Sequence, residues 1–212
     1  MINIVMPRES AWSLMHSDEK TYLANLVAGL GPASVVLEVG SWCMGSACIM
    51  AANNSNIEIY CVDLYNNDRG STYMERPVEQ YDDNDHNFVN MRKQALGDRP
   101  RTLEVCQDIV KHYGNIICIQ ANTLRPIEEL GFNKTLDIYF EDGMHRNPWL
   151  ATNLNYFSQF LKVGGLLLVH DCFEYEDGRF ADVISNVNEL VQSGKYKIIH
   201  RVESLVTLEK IQ

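Results

Sequence analysis

The chain has 212 residues, 18 of them basic and 28 acidic, which gives a formal net charge of −10. That length suits one domain, and 46% hydrophobic residues suffice for a real core, which excludes global disorder. The acidic balance argues against a nucleic-acid binder, which needs a basic patch or stripe, and no apolar run reaches the roughly 18–20 residues of a membrane span.

The opening MINIVMPRES has an apolar cluster with no basic region before it, so no signal peptide is expected. The six cysteines (Cys43, Cys48, Cys61, Cys106, Cys118 and Cys172) include no C-x-x-C pair, so neither a zinc site nor a thioredoxin motif is expected. Cys61 and Cys118 fall in apolar runs, where a free thiol acts as a small hydrophobe. A reducing cytoplasm is the compartment this usage suggests.

Helical spacing of Tyr22, Leu23, Leu26, Val27 and Leu30 predicts a helix over 18–30 within an N-terminal helical segment, 1–32. Ser17 is placed to cap it, with Lys20 where a capping-box glutamate would stand, and Gly31-Pro32 stops it. Ser34–Val39 reads as a strand, Ala47–Ala52 as a helix and Ile57–Val62 as a second strand. Residues 65–101 form an irregular, partly acidic insertion or lid, with a short helix expected near Phe88–Leu96. The Asp82, Asp83, Asp85 and His86 cluster inside it reads as a solvated loop, with metal binding the lesser reading.

Thr102–Tyr113 is a predicted helix, Ile116–Gln120 a third strand and Leu136–Phe140 a fourth. Trp149–Leu161 reads as a helix and Gly164-Gly165 as a turn into a fifth strand, Leu166–Val169. Ala181–Val191 is the last helix, and Tyr196–Val202 with Leu205–Leu208 have hairpin spacing across Glu203-Ser204. Buried strands alternating with helices imply one α/β domain over 1–212: a Rossmann-like, doubly wound sheet of about seven strands with helices on both faces. The sheet is expected to be mostly parallel and to end in a hairpin with at least one antiparallel strand.

The sharpest local signal is Val35–Ser46, where a buried strand meets a glycine turn that opens a helix. Gly40 permits a close approach of ligand to backbone, at a helix N-terminus. The glycines at 40 and 45 do not form G-x-G-x-x-G, and Ser46 stands where a P-loop lysine would be. Glu38, just before the turn, would repel a pyrophosphate and suits a cation or amino group. Asp63, ending the second strand, suits a ribose diol. Together they describe a nucleoside with an amino-acid-like tail; the bland reading makes Glu38 a cap and Asp63 a turn residue.

Here the chain resembles a family. Val35–Ser46 is similar to the first motif of class I S-adenosylmethionine-dependent methyltransferases, and Asp63 matches their ribose-binding acid. Glu141-Asp142-Gly143-Met144-His145, then Leu161-Lys162-Val163-Gly164-Gly165 and His170-Asp171, resemble the subset that includes macrocin-type O-methyltransferases and relatives of cephalosporin hydroxylase. The resemblance spans about 33–208. It implies that Glu38, Gly40 and Ser41 line the methionine part of the cofactor, with Gly45 and Ser46 behind. It further implies that Asp63 holds the ribose, that Leu64 packs under the adenine and that Gln120, Ala121 and Asn122 meet its edge. Glu141 and Asp142 would lie beside the sulfonium.

Ligands of open parallel sheets bind beyond the carboxyl ends of the strands, which brings Asp142, His145, His170 and Asp171 together. Two chemistries stay open there. Asp142, Asp171 and His170 can hold Mg²⁺, which lowers the pKa of a hydroxyl, although Asp171-Cys172 departs from the acidic or Asp-Asn pair of metal-dependent relatives. Without a metal, His145 serves as general base beside Asp142 and Asp171. Phe173–Phe180, Tyr73, Tyr81 and Trp42 are candidate walls for the acceptor.

The expected activity is O-methylation of a small-molecule hydroxyl, on a sugar or secondary metabolite, without nucleic-acid or membrane partners. No Asn-Pro-Pro-Tyr/Phe-type N-methylation motif follows the fourth strand. A binding or partner protein that keeps the fold without methyl transfer is the alternative; a nucleotide-sugar or NAD enzyme is weaker on the glycine spacing. A homodimer is compatible with all three.

Overall fold

Short β-branched and apolar runs form the strands of the computed structural model, which describes residues 3–65, 86–122, 132–176 and 178–212, with backbone only at 86–89. The strands are β1 (Val35–Val39), β2 (Glu58–Asp63), β3 (Ile116–Gln120), β4 (Leu136–Glu141), β5 (Leu161–Val169), β6 (Tyr196–Val202) and β7 (Leu205–Lys210). Helix α1 (Ser17–Ala28) precedes them, and between them run α2 (Gly45–Asn53), α3 (His86–Leu96), α4 (Leu103–Val110), α5 (Trp149–Phe157) and α6 (Ala181–Gln192).

The seven strands form one sheet in the order β3-β2-β1-β4-β5-β7-β6. Strands β1 to β5 are parallel, and β7 runs antiparallel between β5 and β6. This is the expected Rossmann-like sheet with its terminal hairpin. The chain leaves β1 for β2 on one side and later returns to β4 on the other, so the switch point of the topology lies at β1 and β4.

Alternate residues of a strand point to opposite faces, and this sorts the core into two layers. Val35, Leu37, Val39, Tyr139, Leu167 and Val169 pack under α5 and α6, on Leu150, Leu154, Phe157, Val183 and Val187. Val36, Ile59, Cys61, Ile138, Phe140 and Leu168 pack under α1, α2 and α4, on Leu23, Val27, Met50, Cys106 and Val110. A third cluster joins Trp12, of the 3-10 turn Arg8–Trp12, to Cys43 and to Ala95 and Leu96 of α3. The later part of the 65–101 insertion therefore packs on the domain; 66–85 lies outside the described residues.

Several boundaries differ from the sequence reading for local reasons. Helix α1 is capped by His16, one residue earlier than Ser17, because Glu19 then stands at the third helical position and accepts the His16 N–H at 2.7 Å. Helix α4 spans Leu103–Val110, starting after Thr102, whose hydroxyl accepts the Val105 N–H. Helix α5 stops at Phe157 and tightens into a 3-10 turn, Ser158–Phe160. Gly164-Gly165 lies within β5 instead of preceding it, beside a register irregularity between β4 and β5.

Gly40 has φ of +90°, and a β-carbon there would lie 2.2 Å from the Asp142 carbonyl oxygen. The close approach that this glycine permits is that of the chain's own β4 end to the β1 end. Gly40→Ala is expected to cost about 3 kcal/mol, from overpacking together with left-handed strain. A drop of roughly 6–12 °C in thermal unfolding midpoint checks it; an unchanged midpoint would show that the two strand ends separate freely.

Candidate active site

Strands β1, β2, β4 and β5 end side by side, and the polar groups of the site sit at or just past those ends. Asp63 ends β2 with both oxygens engaged. Oδ1 accepts from the Arg101 guanidinium at 2.7 Å and the Tyr65 N–H at 2.9 Å, and Oδ2 from the Trp42 N–H at 3.0 Å. Arg101, at the return of the insertion, was not among the residues singled out from sequence; no local motif marks it, and only the fold brings it 38 positions back to Asp63. Gln120 Nε2 donates to the Leu64 carbonyl at 2.8 Å, and the Ala121 N–H to the Asp63 carbonyl at 2.9 Å, so 63–64 and 120–121 form one edge of the site, with Asn122 next in the chain.

Other predicted residues face inward. Glu38 is fully buried and accepts from the Ser46 hydroxyl and from Cys61 Sγ. Burial pushes its pKa up to about 7 against the hydrogen bond of Ser46. Glu141 is enclosed on the opposite face, where its carboxyl accepts from Tyr139 Oη, from Asn153 Nδ2 at 3.2 Å and from the Gly143 N–H at 3.2 Å. Burial pushes its pKa, too, up to about 7. Gly45 meets the N-terminal segment: a β-carbon there would lie 2.5 Å from the Ser13 nitrogen.

Past the ends of β4 and β5, Asp142, His145, His170 and Asp171 each bring a polar atom within 4.8 Å of the others. His145 sits between carboxylates, Nδ1 3.4 Å from Asp171 Oδ2 and Nε2 3.6 Å from Asp142 Oδ1. Its buried Nε2 makes no hydrogen bond. Burial works to lower the His145 pKa, but Asp142 and the charge of Asp171 outweigh it and raise it. Asp142 is held down at about 2, burial being overcome by the two histidines. Burial raises the Asp171 pKa.

His170 has Nδ1 2.9 Å from Asp142 Oδ1 and Nε2 3.1 Å from Oε2 of Glu19, on α1. Burial opposes its charge, yet Asp142 and Glu19 raise its pKa well above the ordinary histidine value. The residues read from sequence as a metal set, Asp142, Asp171 and His170, do converge here, together with His145. Both nitrogens of His170 are turned to carboxylates, so the ring has no lone pair to offer an ion. What remains is two carboxylates and His145, a mixed set that does not fit oxygen-seeking Mg²⁺. Glu19 was absent from the sequence reading, because its helix lies far from the site in the chain and its signal is that of a capping acid.

Phe180 packs edge-on against His145 with ring centroids 5.2 Å apart; Tyr175 follows at 5.2 Å and Phe173 at a further 5.3 Å. Phe173 and Tyr175 are exposed, so an aromatic wall leads outward from the histidine. Tyr73 and Tyr81, like the acidic 82–85 segment, lie outside the described residues.

Strand order and the turn at Gly40 define a Rossmann-like α/β fold with a polar cluster beyond β4 and β5. Residues 37–172 match the model of the methyltransferase-domain family, and the chain belongs to that family. No curated protein matches it in sequence. Among solved structures it is similar to a methyltransferase from Podospora anserina bound to S-adenosylhomocysteine, at 12% identity over 99% of this chain and 90% of that one, with a TM-score of 0.63. It is also similar to a candidate caffeoyl-CoA O-methyltransferase from Staphylococcus aureus, at 13% identity over 94% and 86%, with a TM-score of 0.60. A third is fibrillarin from Aeropyrum pernix with natively bound S-adenosyl-L-methionine, at 15% identity over 94% and 76%, with a TM-score of 0.58. At these identities the likeness is one of fold. Among the described residues no helix is long and apolar enough to cross a membrane.

Glu38 yields a pH test. Its folded pKa is raised from 4.5 to about 7, so its contribution to stability is full below pH 4.5 and is lost as pH rises through 7. Glu38→Gln stays neutral throughout. Between pH 5 and pH 8 the variant is expected to lose on the order of 3 kcal/mol less than wild type in urea unfolding. Equal losses would show that the Glu38 carboxyl ionises freely in the fold.

Proposed function

We propose that the chain is an S-adenosylmethionine-dependent methyltransferase acting on a hydroxyl of a small molecule. The observation that carries this is His145: a half-buried imidazole held between two carboxylates, beyond the strand ends where such sheets bind ligands. The family supports methyl transfer, and the neighbours described as bound to S-adenosylmethionine or its demethylated product support the cofactor.

The cofactor suits the residues present. It would lie against Gly40 and Ser41, with Asp63 toward the ribose, Leu64 and Gln120–Asn122 toward the adenine, and Asp142 toward the sulfonium, an acid that stays ionised opposite a cation. When bound, it supplies an electrophilic methyl group on sulfur. His145 would take the proton of the acceptor hydroxyl, and Asp171 beside Nδ1 would stabilise the imidazolium, with S-adenosylhomocysteine left as the coproduct. Phe180, Tyr175 and Phe173 form the acceptor wall and shield the reacting oxygen from water. The net charge of −10 favours a small acceptor over a nucleic acid. No step here requires Mg²⁺.

Calorimetric titration with S-adenosylmethionine, with Mg²⁺ and after chelation, is expected to give micromolar binding that is the same in both. A panel of sugar, catechol and polyketide hydroxyls is then assayed for S-adenosylhomocysteine formation. Binding without turnover on any acceptor would favour the partner-protein alternative, and no binding would refute the proposal. A chelation-sensitive rate would restore the metal route.

His145→Ala is expected to keep cofactor affinity within about threefold and to lose roughly 10²–10⁴-fold in turnover, the scale of a lost general base. Full turnover in that variant would remove His145 from the chemistry.

A further inference from the structure

Glu19 is buried outside the family-matched residues, on the first helix of the chain, yet it reaches the reaction centre. Its carboxylate gathers three separate segments. Oε2 accepts the His16 N–H at 2.7 Å and faces His170 Nε2 at 3.1 Å, while Oε1 accepts the N–H and the hydroxyl of Ser204, both at 2.8 Å. Ser204 lies in the turn between β6 and β7, and its carbonyl accepts the Cys172 N–H at 2.8 Å, directly after Asp171.

A fully buried carboxylate is costly, and stability alone is often served as well by an apolar side chain of similar volume. The arrangement here has a direction. His170 projects from the end of β5 to the α1 face of the sheet, the face of Leu168 and Phe140. With Nε2 held by Glu19, its Nδ1 is aimed at Asp142 Oδ1, the same oxygen that lies 3.6 Å from His145. Remove Glu19 and the ring can rotate about its own bonds, and Asp142 loses its fixed partner.

We infer that Glu19 is a positioning residue for methyl transfer: through His170 it fixes the Asp142 carboxylate beside His145. The inference rests on the methyltransferase reading for the reaction it serves, whereas the geometry of His170 is testable without any substrate.

The test uses the full chain, wild type and Glu19→Gln, with Ser204→Ala as a control that removes one hydrogen bond from the far oxygen of Glu19. The readouts are the exchange-protected ring N–H signals of His170 in ¹⁵N-edited NMR, the unfolding midpoint, and S-adenosylhomocysteine formation on whichever hydroxyl of the acceptor panel turns over. Wild type and Ser204→Ala are expected to show two protected ring signals. Glu19→Gln is expected to show at most one, with turnover down about 10²-fold, the scale of a small misplacement, and KM for S-adenosylmethionine within threefold.

Loss of midpoint alone in Glu19→Gln, with both signals and full turnover kept, would overturn the inference and leave Glu19 structural. Fewer than two protected signals in wild type would overturn it without any variant, so a Glu19→Gln chain that does not fold does not rescue it. If wild type forms no S-adenosylhomocysteine on any acceptor, the proposed function fails, while the His170 signals still decide whether Glu19 orients the ring.

Discussion

The contact of the β1 end with the β4 end is the constraint on which the site depends. Only a hydrogen fits between the Gly40 α-carbon and the Asp142 carbonyl. The contact sets the two strands at the switch point close together, and the Asp142 N–H reaches the Val39 carbonyl at 2.9 Å. With β5 in register beside β4, His170 and Asp171 arrive one strand further on. The strand ends thus set the spacing of Asp142, His170 and Asp171, and His145 follows in the stretch between β4 and α5.

Strand alternation then sends neighbouring acids to different fates. Glu141 goes to the face of α5 and Glu38 to the face of α2; both are enclosed, and burial raises both carboxyls to about 7. Glu19 and Asp142 flank His170, and the imidazole between them keeps each at about 2 despite burial. Two acids raised to about 7 inside the fold and two held at about 2 around a histidine differ in the partner each side chain meets. Beside a hydroxyl or an amide, burial wins and raises the pKa; at Glu19 and Asp142 the imidazole of His170 wins, whereas at Asp171 burial still raises it.

The motif signals read from sequence were of two kinds. Val35–Gly40 and Leu136–Asp142 were legible because a buried parallel strand is an apolar run ended by turn or polar residues, a local pattern. The parallel sheet and the meeting of Asp142 with Asp171 followed from topology rules, and the terminal hairpin from two apolar runs across Glu203-Ser204; the order of the strands came from the structure. Element ends were less legible: the α1 cap moved from Ser17 to His16 because the partner that decides it, Glu19, is recruited by His170 and Ser204 from over 150 residues away.

By itself the sequence determined the architecture and the family, since hydrophobic periodicity, turn glycines and short motifs are local properties of the chain. Tertiary structure alone decided what each charged group does. Arg101 on Asp63, Glu19 on His170 and the inward turn of Glu38 and Glu141 are long-range pairings. They depend on which face of a strand meets which helix, and on how much water is removed there. Charge state follows from desolvation and from the nearest partner, and neither is a property of any stretch of sequence.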